Sequence, residues 1–202
     1  MITLTLVRHG ETDWNFARRI QGSTDIPLNE TGRAQAREAA ETLRPAVLGA
    51  SESPFLVASD LSRATETAQI IARELGLAAP RLFPELRERA YGEAEGILVD
   101  DFYARFGEGG QDTVPGAETN AELQTRAVLA IARVTAAAGD DADATDRHII
   151  AVSHGGFIRE VISHATQGER PLPGERLGNA SAHTFRLSDD EIHLVEYVAH
   201  QN

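Results

Sequence analysis

"LVRHGETDWN", residues 6–15, is the stretch that decides the reading of this chain. The apolar run "ITLTLV" at 2–7 predicts a buried strand, and it ends abruptly in Arg8-His9-Gly10-Glu11. A strand that only packs a core has no use for such an ending. A reactive centre has. The pattern returns late in the chain, where "RHIIAVSHGG" (147–156) runs an apolar strand into Ser153-His154 and two glycines. Between them "PFLVASD" (54–60) predicts a third buried strand, which delivers Ser59 and Asp60, with Arg63 beyond.

The segments around these strands have helical spacing. "ETGRAQAREAAETLRPAVLG" (30–49) predicts an amphipathic helix with Thr31 as its cap, and "LSRATETAQIIARELG" (61–76) another, closed by Gly76. Residues 96–106, 119–138 and 155–166 also predict helices, and the tail carries strand-like runs at 181–187 and 191–198. Strands alternating with helices predict a three-layer α/β/α sandwich around a mostly parallel sheet. Ligands of such sheets bind beyond the carboxyl ends of the strands, where the three polar endings converge. The least regular stretch is 77–118, and the acidic "AGDDADATD" (138–146) predicts a solvated loop. No repeat, low-complexity tract or linker interrupts the chain, so residues 1–202 read as a single domain.

Composition narrows the chemistry. The 202 residues are 42% hydrophobic, enough to bury a sizeable core, yet no apolar run reaches the roughly eighteen residues of a membrane span. "MITLTLVRHG" lacks a basic n-region and reads as a first strand rather than a signal peptide. The absence of cysteine excludes a disulfide framework, a thiolate nucleophile and a Cys-built zinc site, and it fits a cytoplasmic protein. A net charge of −12 argues against nucleic acid or an anionic membrane as partner. It also repels anions at long range, so an anion site must be a local concentration of positive groups. Every basic residue is arginine, whose rigid fork matches phosphate. His148, His164, His183, His193 and His200 lack metal-ligand spacing, so neither metal nor cofactor is expected. The sequence leaves homo-oligomer formation open.

Two histidines at strand ends suit a nucleophile and a polarising partner, and glycines beside them give a ligand room at the backbone. Arg8 and Arg63 suit the fork that neutralises a phosphoryl group, and Arg63 falls in the first turn of its helix, where backbone N–H groups add positive potential. "RHGETDWN" resembles the signature of the histidine phosphatase superfamily, also called the phosphoglycerate mutase-like family. "ASDLSRATETA" (58–68), "LRERAYGEAEG" (86–96) and "VSHGG" (152–156) resemble its second arginine motif, its acid-bearing segment and its second-histidine motif, in family order.

The resemblance implies a phosphoglycerate mutase-like fold and a role for each matching residue. His9 is the nucleophile that forms a phosphohistidine, and Arg8, Arg63 and His154 surround the transferred group. Glu88 protonates the leaving oxygen and then activates water. Asn15 contacts phosphate, Gln21 and Gly22 border the substrate pocket, and Arg89 and Tyr91 echo substrate contacts. The implied partner is a small-molecule phosphomonoester. The bland alternatives are histidines that merely end strands and arginines in surface ion pairs, Arg63 with Glu66 or Glu11. Glu85, Glu93 and Glu95, the other acids near Glu88, fit a solvated face.

Water is favoured over a sugar acid as acceptor. No adjacent arginine pair of mutase type lies between Glu88 and His154, "HGG" and "VPGAET" (114–119) follow the phosphatase form, and the chain is short for a mutase. Against this, "ERAYG" echoes the mutase "ERHYG", which keeps a cofactor-dependent phosphoglycerate mutase as the alternative. The rival of another class is a non-catalytic module that binds phospho-ligands through Arg8 and Arg63. Selectivity is expected from residues 18–25, 89–118 and 177–181.

Overall fold

The apolar run that opens the chain forms strand β1 (Ile2–Arg8) at the centre of a six-stranded sheet. The computed structural model describes residues 2–50, 53–107, 109–139, 147–172, 174–188 and 191–199. After β1 come a one-turn helix α1 (Asp13–Phe16), the long α2 (Glu30–Gly49), β2 (Phe55–Ala58), α3 (Ser62–Leu75) and the two-residue β3 (Arg81–Leu82). The second half holds α4 (Val99–Phe106), α5 (Asn120–Gly139), β4 (Arg147–Ser153), α6 (Gly155–Ala165), β5 (Ala182–Ser188) and β6 (Glu191–Glu196). The strand order is β3-β2-β4-β1-β5-β6. The first four strands in that order pair in parallel, while β5 and β6 run antiparallel at one side.

Strand alternation explains the three layers. Leu4, Leu6, Val57, Ile149 and Ala151 point to one face, against Leu123, Ala127, Ile131 and Val134 of α5 and Phe157, Ile158, Val161 and Ile162 of α6. Val7, Leu56, Ala58, Ile150 and Val152 point to the other, against Ala39, Ala40 and Leu43 of α2 and Ala64, Ala68, Ile71 and Ala72 of α3. Central strands covered on both faces read as unbroken apolar runs, which is why they were visible in the sequence. Each fully buried side chain such as Ile149 contributes about 1.5–3 kcal/mol of transfer free energy.

Several boundaries differ from expectation, each for a local reason. Asn29, not Thr31, caps α2, because its side chain accepts from Gly32 N. Helix α4 begins at Val99 rather than 96, since Gly96 N donates to Ile20 O and Ile20 N donates to Ile97 O, tying that stretch to the α1 loop. Strand β2 is shorter than 54–60, and α1 and β3 were not anticipated. The acidic loop lies outside the described residues over 140–146, as does His200. Among the described residues no helix is long and apolar enough to cross a membrane.

Candidate active site

Parallel register brings the polar strand endings to one level. Arg8 pairs with Ser153 and Ala58 with Val152. The backbone ladder continues one step further, with His9 N donating to Ser153 O (2.9 Å) and Ser59 N to Val152 O (3.0 Å). His9, Ser59 and His154 therefore leave the sheet side by side. Of these, His9 lines a cleft of about 250 Å³ together with Arg8, Asn15, Gln21, Arg63 and Glu88, whereas Ser59 and His154 are fully buried and are not among its lining residues.

His9 is 2% exposed, and its Nδ1 lies 2.7 Å from Gly10 O. A carbonyl only accepts, so the ring proton sits on Nδ1 and Nε2 carries the free lone pair. Burial, then the charges of Arg63 and Arg8, holds this imidazole well below its ordinary pKa, so it is neutral at pH 7. The His154 ring lies 5.1 Å away, centroid to centroid, and burial followed by the charges of Arg63, His9 and Arg8 keeps it neutral too. His154 Nε2 is 2.9 Å from Ser59 Oγ. Ser59 Oγ accepts from Leu61 N and can donate its proton to Nε2; in that tautomer the His154 proton is on Nδ1.

The two arginines are pinned by carbonyls rather than carboxylates. Arg63 is wholly buried and donates to Gly22 O (2.8 Å) and Thr24 O (2.9 Å), while Arg8 donates to Leu177 O. Among the described residues Arg8 Nε, Arg63 Nε and His154 Nδ1 are buried without a hydrogen-bond partner, as are Arg89 Nε, Glu85 Oε2 and Thr135 Oγ1 elsewhere. Buried donors are nearly always satisfied, so three unsatisfied ones at one centre mark a place built for an acceptor-rich ligand. The bland alternative for Arg63, an ion pair with Glu66 or Glu11, does not form among the described residues. Glu66 binds Arg33, and Glu11 accepts from Asn29.

Glu88 sits at the start of α6. Its Oε2 accepts from Gly156 N (2.9 Å), and its Oε1 accepts from Phe157 N (3.1 Å) and Arg89 N (2.9 Å). A Cβ at position 156 would lie 2.5 Å from Glu88 Oε1, so the second glycine of "HGG" is what admits this carboxyl to the helix end. Two expectations about backbone room are thereby corrected. Gly10 does not make room for phosphate. A Cβ there would lie 2.3 Å from Gly32 O, so the glycine lets β1 approach α2. Nor is the start of α3 open to an anion, because Asp25 accepts from both Ser62 N and Ser62 Oγ.

Of the remaining expected residues, Asn15, Gln21, Gly22 and Tyr91 line the cleft and Arg89 does not. Asn15 Oδ1 accepts from Thr12 N (3.1 Å) in the capping box of α1, which leaves the amide nitrogen for the cleft. Gln21 is held beside Thr12 Oγ1 (2.9 Å). Burial, then the Glu88 charge, pushes the Tyr91 hydroxyl up, so it stays protonated and can donate. Arg89 is only 3% exposed; its two terminal nitrogens are spent on Asp112 (2.8 Å) and Asn120 (2.5 Å), while its Nε has no hydrogen-bond partner. It ties the segment after Glu88 together instead of reaching a ligand.

Sequence reasoning missed two supporting residues. Ser59 was visible at its strand end, but its contact with His154 spans 95 positions, and only the fold supplies it. Glu95, which fitted a solvated face, accepts from Ser23 N, Ser23 Oγ, Thr24 N, Thr24 Oγ1 and Tyr91 N. It fixes the loop whose carbonyls hold Arg63. Its carboxyl is held below the ordinary range because these hydrogen bonds outweigh burial, the largest single influence, which acts the other way. Among the described residues no group of three or more His, Asp or Glu is placed to hold a metal ion.

The family model described as the histidine phosphatase superfamily (branch 1) matches residues 4–200. The chain is 33% identical to an uncharacterised phosphatase, PhoE, of Bacillus subtilis, over 98% of this chain and 94% of that protein. It is 33% identical to a metal-independent phosphoserine phosphatase of Arabidopsis thaliana, over 93% of this chain and 77% of the relative. Among solved structures, a mycobacterial glucosyl-3-phosphoglycerate phosphatase in complex with VO3 superposes with a TM-score of 0.78 at 30% identity, covering 99% of both chains.

Proposed function

Because the chain belongs to the histidine phosphatase superfamily and is a histidine-type phosphatase, we propose that it hydrolyses small phosphomonoesters through a phosphohistidine on His9, without a metal ion. One observation carries the reading. A neutral His9 with a free Nε2 stands among three buried donors that lack an acceptor, on Arg8, Arg63 and His154. The Nε2 lone pair attacks phosphorus as the ester P–O bond breaks, and Glu88 gives its proton to the departing oxygen. Water then attacks the phosphohistidine, Glu88 takes the proton from that water, and the N–P bond breaks to release phosphate and restore neutral His9. Arg8, Arg63 and His154 donate to the non-bridging oxygens, whose charge is what the transition state must stabilise. Two displacements with a fixed acid-base partner and fixed cations need no metal-generated hydroxide.

Water is the proposed acceptor. Arg89, half of the pair that echoed a mutase contact, is engaged by Asp112 and Asn120. We place the enzyme in the cytoplasm as a single domain, acting on a small molecule rather than on nucleic acid or a membrane. The test is phosphate release from a panel of monoesters in excess chelator, with His9→Ala as the blank. Release persists in chelator and falls by at least about 10³-fold in the variant. Full activity of His9→Ala, or strict dependence on a divalent ion, overturns the proposal. Exchange between the two phosphoglycerates faster than phosphate release assigns a mutase instead, and binding without turnover assigns a phospho-ligand module.

A further inference from the structure

The catalytic cleft opens into a second chamber of about 500 Å³ that shares Arg8, Asn15, Arg19, Glu88, Val99 and Tyr103 with it. The chamber adds Arg18, Arg159 and Arg176 to its lining. Among the described residues, the two spaces are lined by six arginines, Arg8, Arg18, Arg19, Arg63, Arg159 and Arg176, and by a single carboxylate, Glu88. The chain as a whole has the opposite balance, with 31 acidic residues against 19 arginines. A phosphoryl dianion neutralises only part of that local surplus. Reactive-centre chemistry already occupies Arg8 and Arg63, so the cations beyond them face the leaving group.

These outer arginines make few direct ion pairs, although the carboxylates of Glu160 and Glu175 lie near enough to feel the charge of Arg159. Among the described residues only Arg18 of the six has a carboxylate within ion-pair distance, the exposed Asp100 at 3.0 Å. Arg19 donates to Gly96 O and Arg159 to Glu175 O, both backbone carbonyls, which orient a guanidinium without cancelling its charge. The Arg159 bond stitches α6 to the residue before Arg176, so the two cations share one wall. That wall is continuous with the nucleophile. Leu177 O accepts from Arg8, and Asn179 Nδ2 donates to His9 O (3.1 Å). The charge of Arg159 is felt at Arg8, whose pKa is lowered first by burial, with Arg159 the smallest of the contributions.

Building on the phosphatase reading, we propose that Arg159 and Arg176 form a subsite for a second anionic group, a carboxylate or a phosphate, on the leaving-group side of the substrate. The preferred substrates are small phosphomonoesters that carry this group a few bonds from the ester oxygen. Arg159 and Arg176 are then specificity-determining residues, and a neutral alcohol phosphate is a poor substrate for want of a partner for them.

The test compares three matched three-carbon substrates: the monophosphate of propane-1,3-diol, 3-phosphooxypropanoate, and the bisphosphate of propane-1,3-diol. Phosphate release is followed in wild type, Arg159→Gln, Arg176→Gln and Arg159→Lys. Wild type favours one or both doubly anionic substrates over the neutral alcohol by at least about tenfold in kcat/KM. That ratio collapses toward one in the glutamine variants, recovers in part in Arg159→Lys, and shrinks as salt is raised. Preference for the acid assigns a carboxylate, and preference for the bisphosphate assigns a phosphate. Equal kcat/KM for all three, or a preference that the glutamine variants leave intact, overturns the subsite while the phosphatase reading stands. Release from none of the three nor from the monoester panel overturns the phosphatase reading itself.

Discussion

The carboxyl edge of the sheet and the segment from Arg89 to Glu118 face each other across the cleft and are held in place by different physics. At the sheet edge, His9, Ser59 and His154 are fixed by a parallel ladder whose strands are packed on both faces. The opposite segment has short helical turns, one small apolar cluster around Ala94, Phe102 and Val114, and polar ties such as Arg89–Asp112 and the bonds of Glu95. Opening the first costs most of the fold, whereas opening the second costs a few local contacts. The proposed reaction thus sits on the cooperative part of the molecule, and the segment facing it across the cleft can vary without disturbing it. Glu88 belongs to both, being carried by the segment but fastened to α6.

Perturbing Glu88 has the largest expected effect. Glu88→Gln keeps a comparable shape and removes the proton, so turnover of alkyl phosphates falls by about 10²–10⁴. With p-nitrophenyl phosphate, whose leaving group needs no protonation, stopped-flow shows a fast burst of about one equivalent followed by slow turnover. Equal losses on both substrates with no burst contradict the assigned role.

A cut in the facing segment is milder. Asp112→Ala leaves Arg89 with Asn120 alone, and the side chains of the lost pair are 4% and 44% exposed for Arg89 and Asp112. KM rises about three- to tenfold as the segment loosens, while kcat changes little. A variant that loses kcat at constant KM shows that the segment and the sheet edge are not separable.

The sheet edge also leaves a signature in stability against pH. Unfolded imidazoles take up protons near pH 6.5, whereas burial holds His9 and His154 well below that and His183 down to about 4. Between those limits the unfolded chain binds more protons than the folded one, so stability falls as pH drops below about 6.5. Calorimetry is expected to show Tm at least a few degrees lower at pH 5 than at pH 7. A flat Tm across that interval contradicts neutral, buried histidines.

The same contrast separates what was legible in the sequence from what was not. Central strands buried on both faces print long apolar runs, so β1, β2 and β4 could be read, and with them Arg8, His9, Arg63 and His154. Residues that act through partners far along the chain left no such trace. Gly10 looked like space for a ligand because nothing in the sequence places Gly32 against it. Arg89 looked like a contact because its neighbours match a motif, yet Asp112 and Asn120 claim its guanidinium. The contact of Ser59 with His154, the role of Glu95 and the wall at Arg159 and Arg176 became visible only when topology brought β2, the α1 loop, α6 and residues 175–179 together.

The central claim is that the phosphoryl group passes through His9. Rapid acid-free quenching of enzyme mixed with a labelled monoester, followed by peptide mass spectrometry, measures it directly. The account predicts an acid-labile, base-stable phosphoryl group on the peptide containing His9, absent from His9→Ala and longer-lived in Glu88→Gln. Phosphate release at full rate with no such intermediate, or a label on any other residue, contradicts it.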